Sequence, residues 1–394
     1  MNAWLSAAGA GANLPAVLVT VAIVEGSGPR QPGARMLVTA ARQFDTIGGG
    51  HMEQRAVEIA RAMLALGGDA HRDGAGAGAM DMDNLARAFP AAVPGAVKLE
   101  RFALGPSLGQ CCGGVVHLVF EVLDSALRAV LSALRERQSE DCWRLTAIDG
   151  PPCVLLFDAV GRTLAGGADN ANQANDSSDG ATAPSAAVVS SLLAAPVTAL
   201  VRDAAGRRWL ADLCLAPRAH LTLFGAGHVG AAIVRCLADL PCRVAWVDER
   251  EDMFPATVPG NVTIEASDTP EALVSAAPSG GSFLVMTHNH ALDQRLTEAI
   301  MARADAGWFG LIGSLTKRHK FEHRLRERGV DPARIAAMVC PIGLPGIGDK
   351  APAVIAASVC AQLLMVWEAE SAAAAPCDSA PLRLVASNPS AYPR

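Results

Sequence analysis

The stretch that decides the fold is HLTLFGAGHVGAAIVRCLADLPCRVAWVDER, His220–Arg250. Leu221–Phe224 is a short apolar run of the kind that forms a buried strand, and Gly225–Gly230 spells GAGHVG. A helix over Ala231–Leu240 and a second strand, RVAWVDER, follow at once. A lone GxGxxG says little, but strand, glycine turn, helix and strand in this order form the dinucleotide-binding Rossmann unit. Gly225 permits the tight turn, Gly227 lets backbone approach a pyrophosphate, and Gly230 lets helix pack on strand. His228 lies inside that turn, where the helix N-terminus offers partial positive charge to phosphates. Asp248 ends the second strand 18 residues beyond Gly230, where a carboxylate would accept a ribose 2′-hydroxyl. Arg250 follows closely and leaves NAD and NADP both open. The same glycines would also serve a fold that keeps them for packing and binds no nucleotide.

Outward from this unit toward the C-terminus, VTIEAS, SFLVMTHN and GWFGLIGS are further short apolar strands with helical segments between them. That alternation predicts a doubly wound parallel sheet with crossover helices. The overall expectation is an α/β protein with a mixed α/β domain over 1–216, a Rossmann-like domain over 217–370 and a tail over 371–394. THNHALDQ, Thr287–Gln294, falls at the carboxyl end of a strand, where open α/β sheets place ligands. His288, His290 and Asp293 are candidate ligand contacts there, with a polar loop capping the next helix as the plain alternative. HxH alone lacks the further ligands that zinc needs. In GSLTKRHKFEHRL, Gly313–Leu325, the basic residues Lys317 and Arg318 stand behind Ser314 at a helix start, opposing the macrodipole unless an anion binds. A solvated face is the alternative. The apolar helix after CPIGLPGIGDK is expected to be buried.

Toward the N-terminus, residues 2–24 carry no charge. No basic n-region precedes them, and Gly9, Gly11 and Pro15 interrupt any spanning helix, so Ala16–Val24 is expected to be a buried strand after a short helix. A cytoplasmic chain off the membrane is the expectation. A Gly/Pro loop, GSGPRQPGARMLV (Gly26–Val38), runs into a second strand, and IGGG (Ile47–Gly50) opens a helix. Residues 168–187 are polar and low in complexity, which predicts a loop. The hairpin TALVRDAAGRRWLADLCL closes this half.

Charged residues make up 18% of the chain and the net charge is −6, without the clustered basic stripe of a nucleic-acid surface. Aromatics are 4%, too few for base-stacking platforms. Ten cysteines are scattered without a CxxC pair, consistent with reduced thiols acting as small apolar residues. Cys111–Cys112 in GPSLGQCCGG is the exception. Adjacent residues in an extended segment point to opposite faces, so one thiol is expected to face a ligand. Flanking glycines reduce its steric cover, and a thiolate suits a transition metal or sulfur chemistry. Two buried cysteines at a tight turn is the competing reading.

The motifs GSGPRQPGARMLV, TIGGGHMEQRA, GPSLGQCCGG, LFGAGHVG, THNHALD, IGSLTKR and CPIGLPGI, in this order over roughly 14–366, resemble the XdhC family of xanthine dehydrogenase accessory proteins. The resemblance implies a non-catalytic chaperone that binds the molybdenum cofactor, molybdopterin with its metal, protects it during sulfuration and inserts it into the dehydrogenase. It implies two partners, a cysteine desulfurase and the molybdenum-binding subunit of xanthine dehydrogenase, and a homo-oligomer. Carried onto this chain, Cys112 is the expected molybdenum contact, with Cys111 and Gln110 beside it. Arg30 and Arg35 are expected at the cofactor phosphate, with Gly49 and Gly50 offering backbone N–H groups. His51 stands where relatives often carry cysteine. The alternatives are an NAD(P)-dependent oxidoreductase resting on the Rossmann unit alone, and a nucleotide- or metal-sensing regulator.

Overall fold

A β-rich half and a doubly wound half follow from the two hydrophobic patterns. In a computed structural model of the chain, residues 3–10, 14–68, 95–105, 113–167 and 197–374 are described. They fall into two compact units that divide between Ala216 and Pro217.

The N-terminal unit holds two five-stranded antiparallel sheets. The first is built from β1 (Ala16–Glu25), β2 (Arg35–Thr39), β3 (Gln43–Phe44), β4 (Val97–Ala103) and β5 (Val115–Val122), in the order β3-β2-β1-β5-β4. The second comprises β6 (Cys142–Ala147), β7 (Val154–Asp158), β8 (Thr163–Gly166), β9 (Ala199–Arg202) and β10 (Arg208–Cys214), in the order β8-β7-β6-β10-β9. β1 is apolar on both faces because both are covered. Val17, Val19 and Val21 share a core with Met52, Ala56 and Met63 of helix α2 (Gly50–Gly68), while Leu18 and Ala22 face the second sheet. Helix α1 (Ala3–Ala10) and helix α3 (Ser125–Glu136) close that second core through Trp4, Leu127, Val130 and Leu134. Asp124 caps α3 by accepting from Leu127 N at 2.7 Å.

Between the sheets lies a buried ion cluster. Arg144 of β6 donates to Glu121 of β5 at 2.6 Å and to Asp212 of β10 at 2.8 Å, and all three side chains are at most 1% exposed. Arg35 of β2 closes on the same Asp212 through two hydrogen bonds, at 2.5 and 2.8 Å. Burial opposes charge on Asp212, but the two guanidinium groups outweigh it and hold its carboxyl below the ordinary range.

The C-terminal unit is a parallel sheet of β11 (Ala219–Phe224), β12 (Cys242–Asp248), β13 (Val262–Ala266), β14 (Ser282–Val285) and β15 (Phe309–Leu311). Its order, β13-β12-β11-β14-β15, places the switch point between β11 and β14. Helices cover both faces. One core joins Leu221, Leu223 and Trp246 to α4 (His228–Leu237) and α9 (Pro352–Ala374). The other joins Phe224, Phe283 and Val285 to α5 (Pro270–Ala276), α6 (His290–Ala302), α7 (Leu315–Glu327) and α8 (Pro332–Ala337). The expectation of a buried final helix is corrected to a half-buried one. Ala356, Val359, Cys360, Leu363 and Trp367 enter the core, and Met365 is exposed. This is the one described helix long and apolar enough to span a membrane by composition, and its packed stripe instead serves the sheet.

Candidate functional site

Strand pairing in the first sheet brings the glycine motifs of the N-terminal unit together. Glu25, the last residue of β1, and Ala103, the last of β4, both pair with Val115, the first of β5. The loops leaving β1 and β4 and the segment entering β5 therefore meet at one end of the sheet. They meet tightly. A Cβ on Gly114 would overlap the Ser27 carbonyl, and one on Gly105 would stand 3.7 Å from Gly113 Cα. The IGGG turn joins the cluster, since a Cβ on Gly48 would lie 2.6 Å from Pro29 Cβ and 3.2 Å from Arg30 Cγ. By contrast, a Cβ on Gly49 or Gly113 would meet no atom of the described residues within 4 Å. Gln110, Cys111 and Cys112 lie outside the described residues, but the residues flanking that segment, Gly105 and Gly113, are both part of the cluster.

The electrostatics of this end differ from expectation at two places. Gly48, Gly49 and Gly50 are all left-handed, with φ of 126°, 73° and 66°, but their turn is occupied from within. Glu53, in the first turn of α2, accepts from Ile47 N at 2.9 Å, Gly49 N at 3.0 Å and Gln43 Nε2 at 2.9 Å, and from the Thr46 hydroxyl. Partial burial works to raise the Glu53 carboxyl, yet these hydrogen bonds prevail and hold it below its ordinary value. The Gly49 amide thus serves a carboxylate of the chain itself. Arg35 is corrected as well. Its guanidinium is committed to Asp212 and the Leu213 carbonyl inside the unit, an anchoring role in place of a phosphate contact. Arg30 is exposed on the loop beside Gly48. Among the described residues, Gly49 and Gly113 thus leave clearance at this end of the sheet, and Arg30 is an exposed cation there. The Ile47, Gly48 and Gly49 amides are engaged by Glu53 and Thr46 and are not offered to an outside anion.

In the C-terminal unit the fingerprint has the geometry its glycines require. Gly225 has φ +120° and a Cβ there would lie 2.5 Å from Met286 O, while a Cβ on Gly230 would overlap Gly225 O. Gly227 caps α4 with open space beyond it, and His228 is exposed at the helix start. Asp248, however, is already served. One oxygen accepts from Ala226 N at 2.7 Å, the other from Arg250 N at 3.0 Å, and the Arg250 guanidinium bridges both at 2.9 and 3.1 Å. Burial pushes the Asp248 carboxyl up, but the Arg250 and Ala226 hydrogen bonds dominate and depress it. Beside it, at the carboxyl ends of β11, β12 and β14, a depression of about 230 Å³ has an apolar floor of Phe224, Val247 and Leu292. Asp248, Thr287 and His288 form its rim. Most of that volume is open solvent and the space inside is about 10 Å³, room for about one water, so the depression as it stands holds neither a ring nor a dinucleotide.

The remaining candidates separate into rim and scaffold. His288 and His290 are exposed, and Asn289 caps α6 through Ala291 N and Leu292 N. Asp293 is buried, accepting from Thr287 N and Oγ1 at 3.1 and 2.7 Å and from Lys317 Nζ at 2.7 Å. Lys317 also donates to Ile312 O, and Arg318 is tied to Glu322 and Cys340 O. These cations lock loops to one another, so the basic helix start needs no anion to account for them. Ser314 is the N-cap of α7, accepting from Lys317 N at 3.3 Å. Among the described residues no group of three or more His, Cys, Asp or Glu is arranged to hold a metal. Glu53 could have been found in the sequence, since an acid three places into a helix is a capping signal. The Arg144–Glu121–Asp212 cluster carries no local signal.

The comparisons with known proteins bear on both units. The family described as "XdhC Rossmann domain" matches residues 221–363, and the "XdhC and CoxI family" matches residues 10–73. An Escherichia coli (strain K12) protein, "Uncharacterized protein YqeB", is 33% identical over 150 residues, which is 38% of this chain. The matched stretch spans only 27% of that relative's length. A crystal structure from Bacillus halodurans, described as a xanthine dehydrogenase, superposes with a TM-score of 0.63 over 94% of this chain and 97% of its own. At 17% identity it speaks to the shared fold alone.

Proposed function

Because the chain belongs to the XdhC family, we propose that it carries the molybdenum cofactor as cargo for xanthine dehydrogenase. The cargo is a pterin-linked dithiolene with a phosphate and an oxygen-sensitive metal, so its carrier needs a soft ligand, clearance for a fused ring and a cation. The reading assigns these to the glycine end of the N-terminal sheet. Cys112 supplies the thiol, with Cys111 and Gln110 beside it. Gly49 and Gly113 leave room for backbone approach, and Arg30 meets the phosphate. The observation that supports it most is that the described flanks of the cysteine motif, the Gly26–Arg30 loop and the IGGG turn converge on one end of one sheet. On this reading the chain runs no turnover of its own. It works in the cytoplasm as a homo-oligomer, receives sulfur chemistry from a cysteine desulfurase and docks on the molybdenum-binding subunit of xanthine dehydrogenase.

The test is retention. The chain is purified from cells that make the cofactor and from cells that cannot, oxidised, and read for pterin fluorescence. Pterin is expected only in the first preparation and is expected to be lost from Cys112→Ala. A pterin-free wild type, with normal dehydrogenase maturation in cells lacking the chain, overturns the reading.

A second reading, nucleotide binding by the C-terminal unit with NAD(P)-dependent oxidoreduction as its strongest form, is favoured by the open space at Gly227 at the start of α4. It requires Arg250 to leave Asp248. Equilibrium dialysis with NAD and NADP discriminates, and Arg250→Ala should tighten NAD if the ion pair is what closes the site.

A further inference from the structure

A cavity inside the N-terminal unit belongs to none of the loops above. It opens between the two sheets, beside the start of α3, and holds about 90 Å³ of space. Most of its wall is apolar, with Val97, Val122, Leu127 and Val154 the main contributors. Its polar wall is Glu121, Asp124, Thr146 and the Cys153 thiol, and among the described residues no lysine or arginine lines it.

Glu121 is the unusual member. Its side chain is 1% exposed, and its Oε1 accepts from Arg144 Nη1 at 2.6 Å and Thr146 Oγ1 at 2.7 Å. Its Oε2 is enclosed and has no donor among the described residues. Buried polar atoms are nearly always partnered, and a charged acceptor left bare is among the costliest exceptions. A donor outside the described residues is therefore expected at this oxygen.

Charge narrows the class. Within the ion cluster, Arg35 and Arg144 balance Asp212 and Glu121. The charge left over at the cavity is that of Asp124, whose Oδ1 caps α3. An anion would face two carboxylates. A bare divalent cation would find too few oxygens for its six or more ligand positions. An amine on an apolar body matches both the wall and the charge.

We propose that this cavity binds a small organic cation, an amine or amidine on an apolar body, whose N–H donates to Glu121 Oε2 and whose charge is met by Asp124. Because Oε2 is closed off from solvent, seating the donor requires the wall to yield. The proposal stands apart from the cofactor reading, since none of these residues belongs to the glycine cluster.

The test titrates the full chain by calorimetry with phenethylamine, phenethyl alcohol and phenylacetate, three probes of one shape and different charge. The amine is expected to bind with Kd below about 1 mM, at least about tenfold tighter than the alcohol, and phenylacetate not at all. Glu121→Gln should weaken the amine at least about tenfold. Since that change disturbs the ion cluster, Ala126→Leu is the second variant. It narrows the cavity from α3, leaves every charge in place, and should weaken the amine as much while pterin retention stays unchanged. Equal binding of the three probes, or an amine affinity indifferent to Ala126→Leu, overturns the proposal. So does a crystal structure with a single water on Oε2 and no saturable amine binding.

Discussion

In the C-terminal unit, a methyl group added to Gly225 or Gly230 would run into a backbone carbonyl, whereas in the N-terminal unit one on Gly49 or Gly113 would meet no atom of the described residues within 4 Å. The first pair lets a helix close on a strand, and the second pair keeps a surface clear. The interiors differ in the same direction. The doubly wound half buries carbon on both faces of its sheet, while the two antiparallel sheets of the other half are joined across Arg144, Glu121, Asp212 and Arg35. Glycine-rich motifs alike on paper thus divide into those that hold a fold and those that free a surface. Only the second kind is a direct lead to a ligand.

The contrast between interiors yields the largest expected effect. Arg144→Ala removes a fully buried cation and leaves Glu121 and Asp212 buried with only Arg35 against them. Breaking one side of such a pair costs about 3–5 kcal/mol. Urea unfolding of the wild type and the variant, followed by Trp143 and Trp209 fluorescence, should show that loss. A change below about 1 kcal/mol would mean that the cluster contributes little and the sheets are held by apolar contact.

Next comes Gly230→Ala. The added Cβ would press on Gly225 O, an atom already fixed by a 3.1 Å hydrogen bond from Trp246 Nε1. With backbone on both sides, the overpacking should cost about 1–3 kcal/mol and lower the Tm seen by calorimetry. An unshifted Tm would break the distinction between packing and clearing glycines.

Glu53 gives a smaller effect, readable through pH. Its carboxyl is depressed in the folded chain, so the stability it supplies is present above the ordinary value of 4.5 and is lost as pH falls through the folded value. Glu53→Gln should therefore melt earlier than wild type near neutrality and converge with it in acid. Parallel melting curves at every pH would show that the IGGG turn does not depend on that charge.

How much of this is legible in the sequence depends on distance along the chain. GAGHVG and its flanking strands can be read because each glycine answers to atoms within about one supersecondary unit. The N-cap role of Asp124 and the hairpin of β9 and β10 are local in the same sense. Arg35 cannot be read that way. A loop arginine defaults to the surface, and its partner Asp212 lies 177 positions away. The convergence of the Gly26–Arg30 loop with Gly113–Gly114 depends on β1 pairing with β5, a non-local register that no short motif encodes. Lys317 and Arg318 mislead for a related reason. A basic helix start looks like an anion site until Asp293, Ile312 O and Cys340 O are found to absorb its donors.

The smallest expected change in stability is also the sharpest test of the comparison. Gly113→Ala places a methyl clear of the described residues, and Gly113 does not have the left-handed φ seen at Gly49. Stability should stay within about 0.5 kcal/mol of wild type, as for a surface substitution free of strain. If the glycines near the cysteine motif exist to admit a bulky ring, Gly113→Leu should do the same to stability and yet strip pterin from the purified chain. Pterin measured after oxidation, beside a thermal melt of the same sample, separates the outcomes. A loss of both would make Gly113 a packing residue like Gly230. Retention of both would move the cargo away from this end of the sheet. Loss of pterin with an unchanged melt is what clearance, and clearance alone, requires.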